Sequence, residues 1–409
     1  MLNFLILSDS VSGKDFTNVR VNPGVGGTEY LTVMLAVLIA EKFADLNLTI
    51  YTKYHFNYDT SLQNLNVQVI DTVDAQIIAN KENQKWLLTV NVAWELHCLN
   101  LIESFENVIL WSHHPSDWRA AFLRKNALMV ISTGVYQFCS NWLVHTHNLL
   151  LPNIFLRNHR DSEKHLERTD KQFNVMYLGA LVPAKGFHLL LREWGEICRR
   201  IPHAKLHVIG GSNLYGRTSG MTSDFPCDVK YEKTLKSIIA TKMIDMDSIK
   251  FYGTLGDERF KIYRQMDAAV INPSGRSESF SFNLHECLDY GVPVIASHDY
   301  GLNDVMCGLP DQSVKKDNGI MKILLRLHSD LDFRKRCKEN QFKYIESLEI
   351  RNLKALLAWR SLILGDSTET FHFELNLIRL KGYLRAIMVF PKALVFSLKY
   401  SISKKVKGA

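Results

Sequence analysis

Long apolar runs are missing from this 409-residue chain. None reaches the ~20 residues needed to cross a bilayer, so no transmembrane helix is expected. Cysteine is sparse and scattered: seven residues, at 98, 139, 198, 227, 287, 307 and 337, with no Cys-x-x-Cys pair. An odd, dispersed set argues against a disulfide framework and against structural zinc, and fits a reducing cytoplasm. The start, Met1-Leu-Asn-Phe-Leu-Ile-Leu-Ser-Asp9, has neither a basic leader nor a small-residue cleavage site, and reads as a first core strand rather than a signal peptide. Acidic residues stop at Glu374. Beyond it stand eight basic ones, Arg379, Lys381, Arg385, Lys392, Lys399, Lys404, Lys405 and Lys407. Removing those eight from 49 leaves 41 basic residues against 42 acidic ones, so the formal excess of +7 sits wholly in the tail. By charge, the body is not a nucleic-acid binder.

What remains is a globular composition, 46% hydrophobic and 22% charged. The length suits two domains rather than one core. Apolar strand-like runs alternate with helical patterns, which predicts an α/β fold with parallel sheets. Strands are expected at Phe4–Leu7, Leu48–Tyr51, Val67–Ile70, Trp86–Val90, Val108–Trp111 and Ala127–Ile131, and a helix over Thr28–Phe43 with apolar residues on most faces. Leu151–Ile154 closes this half, and the charged stretch Arg157–Gln172 reads as a linker. The alternation then restarts: strands at Asn174–Leu178, Ala204–Ile209, Ile249–Tyr252 and Ala268–Ile271, a helix over Gly186–Arg199, a helical stretch over Asn318–Leu348, and Lys354–Leu364 crossing back to the first domain.

The most informative segment is Glu278-Ser-Phe-Ser-Phe-Asn-Leu-His-Glu286, followed by Cys-Leu-Asp-Tyr-Gly291-Val-Pro293-Val-Ile-Ala-Ser297. A turn over Ser277–Phe282, a helix over Asn283–Tyr290 ending at Gly291, and a buried strand over Val292–Ala296 are expected. The backbone N–H groups of Phe280, Ser281 and Phe282 then stand at a helix N-terminus, which favours an anion. Glu278 and Glu286, acceptor-only when ionised, flank them and suit hydroxyl groups. An anion beside a polyol describes a nucleotide sugar.

This segment resembles the Glu-x7-Glu signature, followed by Gly-x-Pro-Val, of the retaining glycosyltransferases of family GT4. The resemblance implies a GT-B fold: two Rossmann-like doubly wound domains facing a cleft, here followed by a basic C-terminal tail. It divides the chain into an acceptor-side domain (1–165), a nucleotide-sugar domain (166–350), a helical crossover (351–377) and the tail (378–409). It implies sugar transfer from a nucleotide-diphosphate donor to a glycan or lipid-linked acceptor, with retention, in cell-envelope polysaccharide synthesis. Glu286 is expected on the ribose, Glu278 on sugar hydroxyls, and the Phe280–Phe282 amides on the diphosphate. Tyr177-Leu-Gly179-Ala-Leu-Val-Pro-Ala-Lys185-Gly186 is similar to the family's strand–loop–Lys-Gly motif, with Lys185 as a phosphate cation. Many relatives carry Arg immediately after Gly179; this chain has Ala180, and Arg276 is the candidate substitute. Gly26 and Gly27 match a glycine loop near the donor diphosphate. His113, at the end of a strand, matches the histidine that orients the sugar.

Two metal patterns are set aside. Asp245-Met-Asp247 reads as a loop or helix cap rather than an Asp-x-Asp metal site. His113 and His114 are adjacent on a strand and point apart, leaving a third ligand to His145 or His147. No divalent metal or other cofactor is expected. The tail mixes Arg and Lys with Ile387-Met-Val-Phe390, Leu394-Val-Phe396 and Tyr400, a composition suited to an anionic membrane face, with Pro391 interrupting any single helix. A peripheral position on the inner face of the membrane follows. A non-catalytic GT-B paralogue that binds glycan or a partner transferase, or a nucleotide-sugar 2-epimerase, stays open at this level.

Overall fold

The computed structural model describes residues 1–70, 85–89, 108–113, 127–143, 147–158, 172–211, 225–276, 278–314, 319–366, 380–388, 390–391 and 394–395. The expected linker lies almost wholly outside them. So do Ser277, His114, His145, Arg379, Lys392 and the basic residues from Lys399 onward. The chain divides into two compact units, one of Met1–Val19, Gly27–Ile154 and Arg351–Ala409, the other of Arg20–Gly26 and Phe155–Ile350.

The first unit holds β1 (Leu2–Ile6), α1 (Gly27–Lys42), β2 (Leu48–Thr52), β3 (Leu65–Val69), β4 (Lys85–Thr89), β5 (Val108–Ser112), β6 (Ala127–Ser132), α2 (Val135–Asn141) and β7 (Asn148–Leu150). All seven strands are parallel, in the order β3-β2-β1-β4-β5-β6-β7. β1 is central, with Leu2 opposite both Leu48 and Lys85. Strands covered on both faces need continuous apolar runs. β1, β2 and β5 are buried at every position, whereas edge strand β3 buries only Leu65. α1 is enclosed from Tyr30 to Ala40 without a break, as its all-round apolar composition requires.

The second unit repeats the plan with β8 (Phe173–Leu178), α3 (Phe187–Arg200), β9 (Ala204–Ile209), α4 (Val229–Lys242), β10 (Ile249–Gly253), α5 (Arg259–Tyr263), β11 (Ala268–Ile271), α6 (Phe282–Asp289), β12 (Val294–Ser297), α7 (Asn303–Met306), β13 (Ser313–Val314), α8 (Gly319–Ser329) and the first part of α9 (Leu331–Leu364). The order is β10-β9-β8-β11-β12-β13, again parallel. After winding outward to β10, the chain returns to the other side of β8. That reversal matters for function. In open α/β sheets a reversal of this kind marks a crevice beyond the strand carboxyl ends. The core here gathers Tyr177, Leu190, Trp194, Leu206, Val270 and Ile295. α3 shows why such helices dock: Phe187, Leu190, Leu191, Trp194 and Ile197 form one buried stripe. Arg199 and Arg200 close its last turn, where the dipole favours cations, and both pair with Glu196.

Several expected boundaries move. α6 begins at Phe282 and ends at Asp289, with Gly291 in the left-handed region just beyond, at φ 68°. β12 starts after Pro293, which has no N–H to give the ladder. The helical stretch expected over Asn318–Leu348 holds two helices, separated at Asp330, whose side chain accepts from the N–H of Phe333 and caps α9. Lys354–Leu364 is not a separate element but the continuation of α9, within which the two units divide between Ile350 and Arg351. Asp245 caps a single 3₁₀ turn, accepting from Asp247 N at 3.0 Å, as expected of a cap. A further helix, α10 (380–388), belongs to the first unit, and the described residues 390–391 and 394–395 are helical as well. Among the described residues no helix is long and apolar enough to cross a membrane.

Trp194 is fully buried and donates from Nε1 to Ser248 Oγ at 3.0 Å. Trp194→Ala is expected to destabilise the second unit by about 3–5 kcal/mol, read as a lower urea midpoint for its unfolding.

Candidate active site

Lys185 and Glu278 reach each other from the two loops that leave β8 and β11, the strands flanking the reversal. Lys185 Nζ lies 2.8 Å from Glu278 Oε2, and the side chains are 17% and 12% exposed. Each loop is fastened locally. The Pro183–Lys185 turn is held by Tyr177 OH donating to Lys185 O at 3.1 Å, and by Ser274 Oγ donating to Ala184 O. Ser274 Oγ also lies 3.0 Å from Asn272 Oδ1 and accepts from Arg276 N. Asn272 takes a positive φ of 39°, and its Nδ2 donates to Arg276 O at 3.1 Å and to Glu278 Oε2 at 3.2 Å. Glu278 is thus held by two donors from different segments. Gly186 makes this approach possible: its φ is 75°, and a Cβ there would stand 2.8 Å from Ser274 N.

Beyond Glu278 the chain enters α6 with Ser281 at the N-cap; its side chain makes no capping bond. The first helical N–H groups have no partner within the helix and carry the positive end of its dipole. The entry is braced by His285, whose Nδ1 is 2.7 Å from Ser281 O and whose Nε2 is 3.0 Å from Tyr344 OH. Phe280 stacks on the same imidazole, with ring centroids 4.4 Å apart.

Glu286, one turn further on, is 6% exposed and already held by three bonds. Arg259 donates from Nη2 to Oε1 at 2.6 Å and from Nε to Oε2 at 3.2 Å, and Tyr263 OH donates to Oε2 at 3.1 Å. The bidentate pair sets the carboxylate plane. Burial alone would pull the Arg259 guanidinium down, but Glu286 more than reverses this and holds it charged. Burial, reinforced by Glu286, drives the Tyr263 phenol well above its ordinary value. Arg259 Nη1 also donates to Gly256 O at 2.9 Å and lies 3.5 Å from Asn22 O, in the Arg20–Gly26 segment that carries Gly26.

The structure therefore brings Lys185, Glu278 and the Gly179–Gly186 loop together, with Phe280, Ser281, Phe282 and Glu286 along the start of α6. Arg276 does not join the Lys185–Glu278 pair. It is exposed and lines a cavity of about 940 Å³ with His188, Arg192, Ser274 and Asp299. Burial, and then the charges of Arg192 and Arg276, hold His188 below its ordinary range. Gly27 and His113 belong to the first unit, Gly27 opening α1 and His113 following β5 at the sheet's carboxyl edge. The His113 ring packs edge-on against Trp111, centroids 4.3 Å apart. Gln137 Nε2 donates to the neighbouring Ser112 O at 2.7 Å and secures that strand end. Sequence reasoning missed Arg259, Tyr263 and Asn272. The only sequence signal was the i, i+4 spacing of Arg259 and Tyr263, too common to single out. Among the described residues, no group of three or more His, Cys, Asp or Glu is arranged to hold a metal ion.

Twin parallel sheets with an ion pair and a helix N-terminus at a strand reversal define a GT-B protein. Residues 158–344, all within the second unit, match the family described as Glycosyl transferases group 1. It is 28% identical over 130 residues to mannosylfructose-phosphate synthase of Agrobacterium fabrum, covering 31% of this chain and 26% of that protein. It is 25% identical over 183 residues to the putative glycosyltransferase YtcC of Bacillus subtilis, covering 42% and 41%. The matched regions are thus less than half of either curated relative. The fold is shared with sucrose-phosphate synthase from Thermosynechococcus elongatus, at TM-score 0.62 and 15% identity over 90% of this chain and 100% of that one. It is shared too with Anabaena HepE in complex with UDP-glucose, at TM-score 0.62 and 15% identity over 88% and 99%.

Arg259→Ala leaves the Glu286 carboxylate buried without its cation and is expected to cost about 3–5 kcal/mol. The double variant Arg259→Met/Glu286→Leu should recover most of that loss, and equal urea midpoints for the two would contradict the pairing. Burial pushes the Tyr231 phenol up to about 12 and Tyr263 well above its ordinary value. Phenols in the unfolded chain ionise near pH ~10. The unfolded state then binds fewer protons, so stability present below that pH falls as pH rises through it. Urea midpoints measured from neutral pH upward should decline more gently in Tyr231→Phe than in the unaltered protein.

Proposed function

We propose that this protein is a retaining glycosyltransferase that moves a sugar from a nucleoside-diphosphate sugar to a glycan or lipid-linked acceptor. In this reading it works without a divalent metal, at the cytoplasmic face of an anionic membrane, in cell-envelope polysaccharide synthesis. The observation that carries it is the Lys185–Glu278 pair at the β8/β11 reversal, directly before the α6 N-terminus. A cation, a helix N-terminus and a carboxylate are what a diphosphate joined to a sugar requires.

The diphosphate binds Lys185 and the backbone N–H groups of Phe280 to Phe282 at the entry to α6, with the Gly179 loop and Gly26–Gly27 admitting it closely. Lys185, now facing a stronger anion, leaves Glu278 to accept from sugar hydroxyls. Glu286 takes the ribose: Oε1 accepts one bond from Arg259 and keeps one lone pair for a hydroxyl. His113 orients the sugar. As the anomeric C–O bond breaks, its electron pair passes to the phosphate oxygen, where Lys185 and the helix N-terminus hold the charge; such fixed donors are the main catalytic contribution. The acceptor hydroxyl attacks the same face and gives its proton to the departing phosphate. The chain's own cations supply the phosphate counter-charge, Arg276 being the second candidate where Ala180 offers none.

Glu286→Gln is expected to weaken nucleotide binding by about tenfold, the scale of a charged hydrogen bond. Lys185→Ala should lower turnover by about a hundredfold or more. A thermal-shift series with UDP, GDP, ADP and their sugars, with and without EDTA, reads the donor directly. Uridine comes first because HepE, which shares the fold, was solved with UDP-glucose. Stabilisation by one nucleotide, unaffected by EDTA, supports the reading. No shift with any of them, or donor hydrolysis and transfer unchanged in Lys185→Ala, overturns it.

A further inference from the structure

Helix α10 exposes an apolar face in the direction opposite to the one by which it is attached. Its attachment is made by small residues. Ala386 is fully buried, and Gly382 lies so close to α2 that a Cβ would stand 2.6 Å from Cys139 Cβ and 2.9 Å from Tyr136 O. Tyr383 flanks this seam and packs edge-on against Trp142, just past α2, with ring centroids 5.4 Å apart. At 3.6 residues per turn, Leu380, Leu384, Ile387 and Met388 share one stripe on the far side of the helix from Gly382 and Ala386. All four are between 51% and 66% exposed, and Trp142 is 56% exposed. Lys381 and Arg385, four residues apart, lie along one flank of the stripe.

An outward stripe of this kind on a docked helix does not belong to the core of its own unit. Its charge environment identifies the occupant. From residue 375 onward the chain carries eight basic residues and no acidic one. A second copy of the same helix would bring like charges together and is disfavoured. An anionic lipid surface satisfies both features: the stripe enters the headgroup–acyl boundary while the net positive charge of the segment is matched by lipid phosphates. Among the described residues no helix is long and apolar enough to cross a membrane, and a one-sided apolar stripe flanked by basic residues suits a helix lying in the membrane plane.

We propose that α10 and Trp142 together form an in-plane anchor for an anionic bilayer, fastened to the first unit through Gly382 and Ala386. The inference deepens the membrane placement in the functional reading and is independent of the transferase chemistry.

The test uses the full chain and phosphatidylcholine vesicles with and without phosphatidylglycerol. Co-sedimentation is expected only with the anionic vesicles. Leu384→Glu/Met388→Glu, which changes exposed positions alone, should weaken it by about tenfold or more while leaving the thermal midpoint and nucleotide binding unchanged. Brominated acyl chains should quench the fluorescence of the unaltered protein more than that of Trp142→Phe. Equal vesicle binding by the double variant overturns the proposal. So does a self-association of the unaltered protein, abolished in the variant, with no vesicle binding by either: the face would then belong to a second copy. Vesicle binding lost with nucleotide binding intact affects the anchor alone. The reverse pattern sinks the donor reading and leaves the anchor standing.

Discussion

An ion pair between residues 93 positions apart, Lys185 and Glu278, organises the second unit's functional edge. Both side chains are largely removed from water, so each alone would carry a desolvation penalty of several kcal/mol. Together, with Asn272 adding a bond to the same carboxylate oxygen, they are compensated. The pair can exist only because the sheet order reverses between β8 and β11, which sets the two loops side by side. The close approach of Gly186 to Ser274 then fixes their separation. In the proposed function this pair opens on binding, since a diphosphate carries more charge than one carboxylate and competes for the same ammonium.

Glu286 is held differently. Its carboxylate meets a bidentate guanidinium and a phenol in a site almost closed to solvent, and none of these partners is a flexible surface group. Arg259 supplies the buried positive charge, anchored in turn on Gly256 O. One carboxylate thus has an ammonium and an amide as partners, while the other is held by a bidentate guanidinium and a phenol. In the proposed function, that division suits a site that grips a nucleoside and lets a sugar react.

The first unit shows the same economy of small residues at its outer helix. Gly382 and Ala386 let α10 sit close against α2, and the bulky residues that would ordinarily pack inward face solvent instead. The basic excess and the apolar stripe occupy the same short segment. Neither would be informative alone, because solitary exposed leucines are ordinary on protein surfaces.

Period and punctuation carried a great deal. Alternating apolar runs determined two parallel α/β units, because a strand buried on both faces must be apolar throughout. Gly291 and Pro293 placed the end of α6 and the start of β12 to within a residue or two, since one permits a left-handed turn and the other removes a ladder donor. The Glu278–Glu286 spacing and Lys185-Gly186 were likewise legible as motifs. Asp330 was not read as a break, because a single Asp within an apolar-periodic stretch looks the same whether it faces water or caps a new helix. The partners of the motif residues were decided only by tertiary structure. Arg259 comes to Glu286, and Asn272 to Glu278, through strand order and loop closure. Which face of α10 docks and which is presented outward depended on α2, a helix more than two hundred residues earlier in the chain. Local chemistry sets which elements a segment can form; contacts between distant segments depend on how those elements pack, and no spacing along the chain encodes that.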